Sequence, residues 1–414
     1  MLANIPMIFI LVGLAAYIVL AGADFGTGFW TLVFYRKSGD RAKFADSLHN
    51  AMGPVWEANH VWLIFVLVVC WTAYPVAFAS IASTLSVPLL ISAVGIISRG
   101  AAYALRSQFA AAPKERLIDD RVFALSSVLT PFALGAAIGG IASGRVPVGN
   151  AAGSLVTSWL NPTSALIGVL SITTCSYLSA VYLAADAWRR ADADMIHVLR
   201  KMSLRAGVAA GVLAMIGLLV LHADARPIWN GLTNGFGACL LCLSIASGLA
   251  ALILVWRNRF GLARVSAALA VATIVAGWAV AQQPQLLPGL TVTQAAAGRS
   301  TLVAVIVTIA FGAIVLVPSL ALLFRLALKG RFDWNLIVDI PAPKTASSTG
   351  KYASVLALFA FGCLLLGTVG TVFGFGWIQA LGVLCLCLFA ASAFVLAATP
   401  MNSLQKRVAT EKVP

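Results

Sequence analysis

Runs of twenty or more apolar residues, cut by short segments that carry almost all the Lys and Arg, decide what this chain can become. A helix needs about 20 apolar residues to cross the hydrocarbon layer, and it satisfies its backbone hydrogen bonds within one segment. With 61% hydrophobic and 10% charged residues and a mean hydropathy of +0.95, no water-soluble domain could cover its own apolar surface. The expected fold class is all-α, a polytopic membrane helical bundle. The net charge of +14 belongs to that reading. The cations alternate with apolar runs rather than clustering with stacking aromatics, so they do not describe a nucleic-acid surface.

Eleven spans are expected, near 5–35, 54–77, 80–107, 121–144, 162–187, 204–223, 230–256, 264–283, 300–326, 352–374 and 377–399. Loops near 36–49, 108–120, 188–203, 257–263 and 327–351, with the C-terminal tail, hold nearly all the basic residues. The intervening loops hold only Arg145, Arg226 and Arg299. By the positive-inside rule this places the N-terminus outside and the C-terminus in the cytoplasm of a multi-pass membrane protein. The first apolar segment has no basic lead and keeps an acid, so it reads as a retained span rather than a cleaved signal. Segment 327–351, with Pro341, Pro343 and a Ser-Ser-Thr-Gly run, reads as a cytoplasmic linker. It divides a nine-helix body, 1–326, from a two-helix appendage and tail, 352–414.

Of the 14 acids, only Asp24 and Glu57 fall well inside apolar stretches. A charge at the centre of a span costs roughly 2.5–3.5 kcal/mol on insertion scales, so both are functional candidates. Arg99 sits about two turns from the cytoplasmic end of the third span, at a depth similar to the two acids. Trp56, Glu57 and His60 share one helix face by i+3 and i+4 spacing, with Asn59 pointing elsewhere. A buried carboxylate can carry protons. A pairing of Arg99 with Asp24 or Glu57 that merely fixes packing explains the same residues equally well.

Metal and nucleophile chemistry find little support. His60 is the only His well within a span; His49, His197 and His222 lie in loops or at helix ends. The seven Cys lie in apolar segments, and Cys239 and Cys242, despite CxxC spacing, read as small core residues. No phosphate-binding Gly loop, nucleophile elbow or HExxH motif occurs. Redox cofactors, if used, belong to another polypeptide.

The segments GADFGTG (22–28), PVWEANHVWLI (54–64), AYPVAFA (73–79) and ISRGAAYALRSQ (97–108) resemble successive signatures of subunit II of cytochrome bd-type quinol oxidases. The stretch from Gln282 to Arg325 resembles that family's last helix and its lead-in. The resemblance implies two four-helix bundles plus a peripheral helix, in a bacterial inner membrane. It implies a partner, the haem-bearing subunit I, which holds two b-type haems and haem d and takes quinol and O2, with room for a small accessory membrane subunit. It also implies that this chain ligates no haem, can hold a structural quinone, and lines a cytoplasmic route for protons. Asp24 matches the family's helix 1 aspartate, Glu57 stands in place of an aspartate, and Trp56 and Arg99 match as well. His60 and Ala104 stand where the family commonly has acids, removing negative charge from the polar entrance. The last two helices have no counterpart in the ordinary family, which points to a divergent branch, such as the cyanide-insensitive type, or to a paralogue recruited elsewhere. From the residues alone, a proton-coupled secondary transporter using Asp24 and Glu57 stays open, although no clear repeat is seen. So does a scaffold subunit of another membrane complex.

Overall fold

Proline decides the first breaks in the helical run. The structure, a computed structural model, describes residues 2–34, 53–105, 113–328, 350–373, 377–378, 380–389 and 392. After a 3-10 turn at Leu2–Asn4 come α1 (Ile5–Phe34), α2 (Gly53–Ala73), α3 (Pro75–Thr84) and α4 (Ser86–Leu105). Tyr74 precedes Pro75 and adopts φ −136°, ψ 62°, since the proline ring disfavours the helical region for its predecessor. Pro88 has no N–H to give the Thr84 carbonyl and its ring crowds that carbonyl, so the helix stops at Thr84 and Leu85 turns out of it at φ −97°, ψ 23°. The chain turns by 82° between α3 and α4. The expected second and third spans, 54–77 and 80–107, are thus three helices, with breaks at Tyr74 and Leu85.

The chain continues through α5 (Pro113–Ala142), α6 (Pro162–Arg189), α7 (Ala193–Asp224), α8 (Arg226–Thr233), α9 (Gly235–Trp256) and α10 (Phe260–Gln282). A hairpin of β1 (Gln285–Leu287) and β2 (Leu290–Thr291) pairs Leu287 with Leu290, followed by α11 (Val292–Ala295) and α12 (Arg299–Leu328). α7 starts eleven residues earlier than expected because the Asp192 carboxylate caps it, accepting from the Met195 N–H at 3.1 Å.

Residues Met1–Leu328 form one compact unit and Lys329–Pro414 another. In the first, α1, α2, α4 and α5 make one group of four and α6, α7, α9 and α10 a second, with α1 and α5 packed on α6 between them. α12 borders α1 and α2. Gly26 lets α1 meet α6 at the backbone: a Cβ there would collide with the Cys175 carbonyl and the Ser179 side chain. In the second unit, α13 (Gly350–Phe373) presents Gly367 and Gly370 to Leu386 and Gly382 of the same unit.

Among the described residues, seven helices are long and apolar enough to cross a membrane, or eight if the α3–α4 pair counts as one span. Three further apolar helices, Asn59–Ala73, Leu358–Gly367 and Ala380–Phe389, are shorter. The expected eleven is therefore not reached by length among the described residues.

Large apolar side chains such as Ile97, Leu219, Phe311 and Leu366 are exposed, as befits a surface that meets lipid tails. Cys239 and Cys242 are exposed as well. They are not core residues as expected, because in a membrane bundle the outer surface is also apolar and gives a small hydrophobe no reason to point inward.

Candidate functional site

The candidate site sits where α1, α2, α4 and α5 converge, about one helical third from the end that bears the basic loops. Asp24 is 2% exposed, Arg99 1% and Asn59 0%. Arg99 Nη2 stands 2.5 Å from Asp24 Oδ1 and 2.9 Å from the Asp24 carbonyl, so one nitrogen holds both side chain and backbone of α1. Asn59 Nδ2 donates to the other carboxylate oxygen, Oδ2, at 3.0 Å. Arg99 Nη1 donates to Ser127 Oγ, and that hydroxyl donates onward to the Phe123 carbonyl at 2.5 Å. Phe25 and Phe123 stand against the guanidinium, with their ring centres 5.0 and 4.2 Å from its carbon. Two aromatic faces replace water around a cation that is always charged.

Local sequence makes this convergence possible. Gly28 of α1 faces Ser127, and Gly95 of α4 faces Thr130, at distances that no Cβ could tolerate. Without those two glycines the polar side chains of α5 could not lie in the seam.

Every described candidate is accounted for. Asp24 and Arg99 form the ion pair, and Asn59, which helical spacing had set apart from the His60 face, is a residue of α2 that reaches Asp24. His60 follows it, half-buried. The side chains of Trp56 and Glu57 lie outside the described residues, as do those of Tyr103 and Ala104, although all four backbones belong to α2 and α4. Ser127, Phe25 and Phe123 were missed. The one available signal for Ser127 was the hydroxyl cluster Ser126, Ser127 and Thr130 within an otherwise apolar run.

A second polar cluster, toward the opposite end of the bundle, joins the loop after α5 to α6 and α7. Arg145 makes a two-pronged pair with Asp224, at 2.9 and 2.6 Å, and the Thr163 hydroxyl donates to Asp224 Oδ2 at 2.6 Å. One of the three exceptions to the basic-loop pattern is thereby explained. On the basic-loop side Asp186 accepts from both Arg189 and Arg264.

Among the described residues no group of three or more His, Cys, Asp or Glu comes together that could hold a metal ion. His222 lies edge-on to Trp229 with ring centres 5.3 Å apart, far in sequence from His60.

Residues 2–327 match the family model described as cytochrome bd terminal oxidase subunit II. The chain belongs to that family. The cytochrome bd ubiquinol oxidase subunit 2 of Bacillus subtilis is 27% identical to this subunit II chain over 221 residues, 52% of the chain and 63% of the relative. The cytochrome bd-I ubiquinol oxidase subunit 2 of Escherichia coli K12 is 24% identical over 217 residues, 50% of the chain and 52% of the relative. These alignments therefore span less than two thirds of the curated relatives. A chain from the bd oxidase structure of Geobacillus thermodenitrificans superposes with a TM-score of 0.66 at 27% identity, covering 79% of this chain and 98% of that one. The family match ends one residue before the boundary between the two compact units.

Proposed function

We propose that this chain is the second subunit of a bd-type quinol:oxygen oxidoreductase in a bacterial inner membrane. It supports a haem-bearing subunit I and helps deliver cytoplasmic protons for the reduction of O2 to water. The two b-type haems and haem d, the quinol and the O2 site belong to that partner. A structural quinone and a small accessory subunit are compatible additions. The reading is carried by one coincidence: helices within the family match bury a carboxylate, Asp24, 2% exposed, beside Arg99 and Asn59. Ionisable groups at such depth pair with one another and mark ion or proton pathways.

In this mechanism Glu57, near the cytoplasmic start of α2, takes up protons. Asp24 lies further along the same route. Arg99 offsets its charge and fixes one oxygen, while Asn59 fixes the other, so that the carboxylate keeps one orientation. A proton passing this point exchanges along hydrogen bonds, and no electron moves within this chain.

Purification of the chain from its native membrane tests the assignment. A haem-containing partner with bd-type absorption should come with it, and quinol should drive O2 consumption. A colourless chain active in transport alone would refute it. Asp24→Asn and Glu57→Gln should each slow O2 reduction while leaving haem content largely intact, and wild-type turnover in both would remove the proton role.

A further inference from the structure

Four polar atoms around the ion pair are buried with no hydrogen-bond partner among the described residues: Tyr17 OH, Asn59 Oδ1, Arg99 Nε and Thr130 Oγ1. They come from α1, α2, α4 and α5, the four helices that build the site. Tyr17 precedes Asp24 by two helical turns on the same face of α1, about 10 Å further from the basic-loop end. It is 5% exposed in a cluster with Phe25 and Cys175, flanked by Trp62, Leu63, Ile96 and Leu134. Thr130 lies one turn beyond Ser127 on the same side of α5, against the side-chain-free surface of Gly95. Asn59 must turn its Nδ2 toward the Asp24 carboxylate, which leaves Oδ1 as an acceptor aimed away from it. Buried polar atoms in native proteins are almost always satisfied, by protein or by ordered water with two to four polar neighbours. Four such atoms, one on each of the helices that build the site, call for ordered water.

We propose that Asn59, Arg99, Thr130 and Tyr17 hold ordered water in line with Asp24, and that this water passes protons from Asp24 toward the middle of the membrane. The inference rests on the proton role proposed above and assigns the segment beyond Asp24. Each water accepts a proton from one neighbour as it releases another to the next, so no side chain changes its net charge at the end of a transfer. Tyr17 and Thr130 are positioning residues: their hydroxyls orient the water.

The test uses the full complex in native membranes. Tyr17→Phe and Thr130→Val each remove one hydroxyl with little change of shape. The readouts are quinol-driven O2 consumption across pH, its ratio in H2O and D2O, and the haem spectrum. The expected result is a fall in turnover of about fivefold or more in the double variant, a larger solvent isotope ratio and unchanged haem content, with Thr130→Ser close to wild type. Wild-type turnover, pH profile and isotope ratio in the double variant, with Asp24→Asn slowed, would overturn this inference alone. If Asp24→Asn is also at wild-type rate, the proton role falls with it. Should Tyr17→Phe not assemble, Thr130→Val against Thr130→Ser decides by the same readouts.

Discussion

Asn59 and Arg99 divide the two oxygens of Asp24 between them: the amide donates to Oδ2 at 3.0 Å and the guanidinium holds Oδ1 at 2.5 Å. The two partners lie 35 and 75 residues away on different helices, so α2 and α4 are locked to α1 at a single point. Each bond should therefore register separately in stability.

Replacing Arg99 with Met should cost about 3–5 kcal/mol, because it leaves the buried Asp24 carboxylate without its counter-charge, while the Ser127 hydroxyl keeps its bond to the Phe123 carbonyl. Pairing that change with Asp24→Leu should recover a large part of the loss. Thermal unfolding of the detergent-solubilised complex, measured for both singles and the double, checks this. A double variant no better than Arg99→Met would show that the loss comes from packing rather than from the stranded charge.

Asn59→Leu should cost less, about 1–3 kcal/mol, since Asp24 keeps its Arg99 bond and loses one donor to Oδ2. The same melting series measures it. An effect as large as that of Arg99→Met would mean that Asn59 is fixing the helix rather than the carboxylate.

Gly28→Ala should destabilise by about 1–3 kcal/mol through crowding, since the new methyl meets the Ser127 hydroxyl and approaches Arg99. Ser127→Ala in the same chain should relieve part of that loss. A double-mutant cycle on assembly yield or melting temperature reads the coupling, and strict additivity would disprove the contact.

Toward the opposite end of the bundle, Arg145→Met should cost only about 1 kcal/mol, because the Arg145 side chain is 34% exposed and its pair with Asp224 is partly screened. The effect should shrink as salt is raised. Melting at low and high ionic strength separates this surface link from the salt-insensitive Asp24–Arg99 pair.

Much of the architecture was legible along the chain. Apolar length marked most of the long helices, and Pro75 and Pro88 carried the break that a hydropathy reading runs through. A strict reading of proline sterics would have found it. The start of α7 was missed because its first turns are charged, and a capping aspartate is a subtler sign than hydropathy. The misplaced cysteines have a different cause: hydrophobicity predicts burial only when the solvent is water.

For the site, the sequence by itself determined that Asp24 and Arg99 must be buried, since each stands in an apolar helix and neither could stay in lipid unpaired. Which partners they would find was decided only by the tertiary structure. Arg99 could have paired with Asp24 or with Glu57; that it meets Asp24, with Asn59 and Ser127 alongside, depends on how far each helix is rotated and how closely it approaches. Gly26, Gly28 and Gly95 set those approaches, and a glycine's effect comes from what packs against it rather than from its neighbours in the chain.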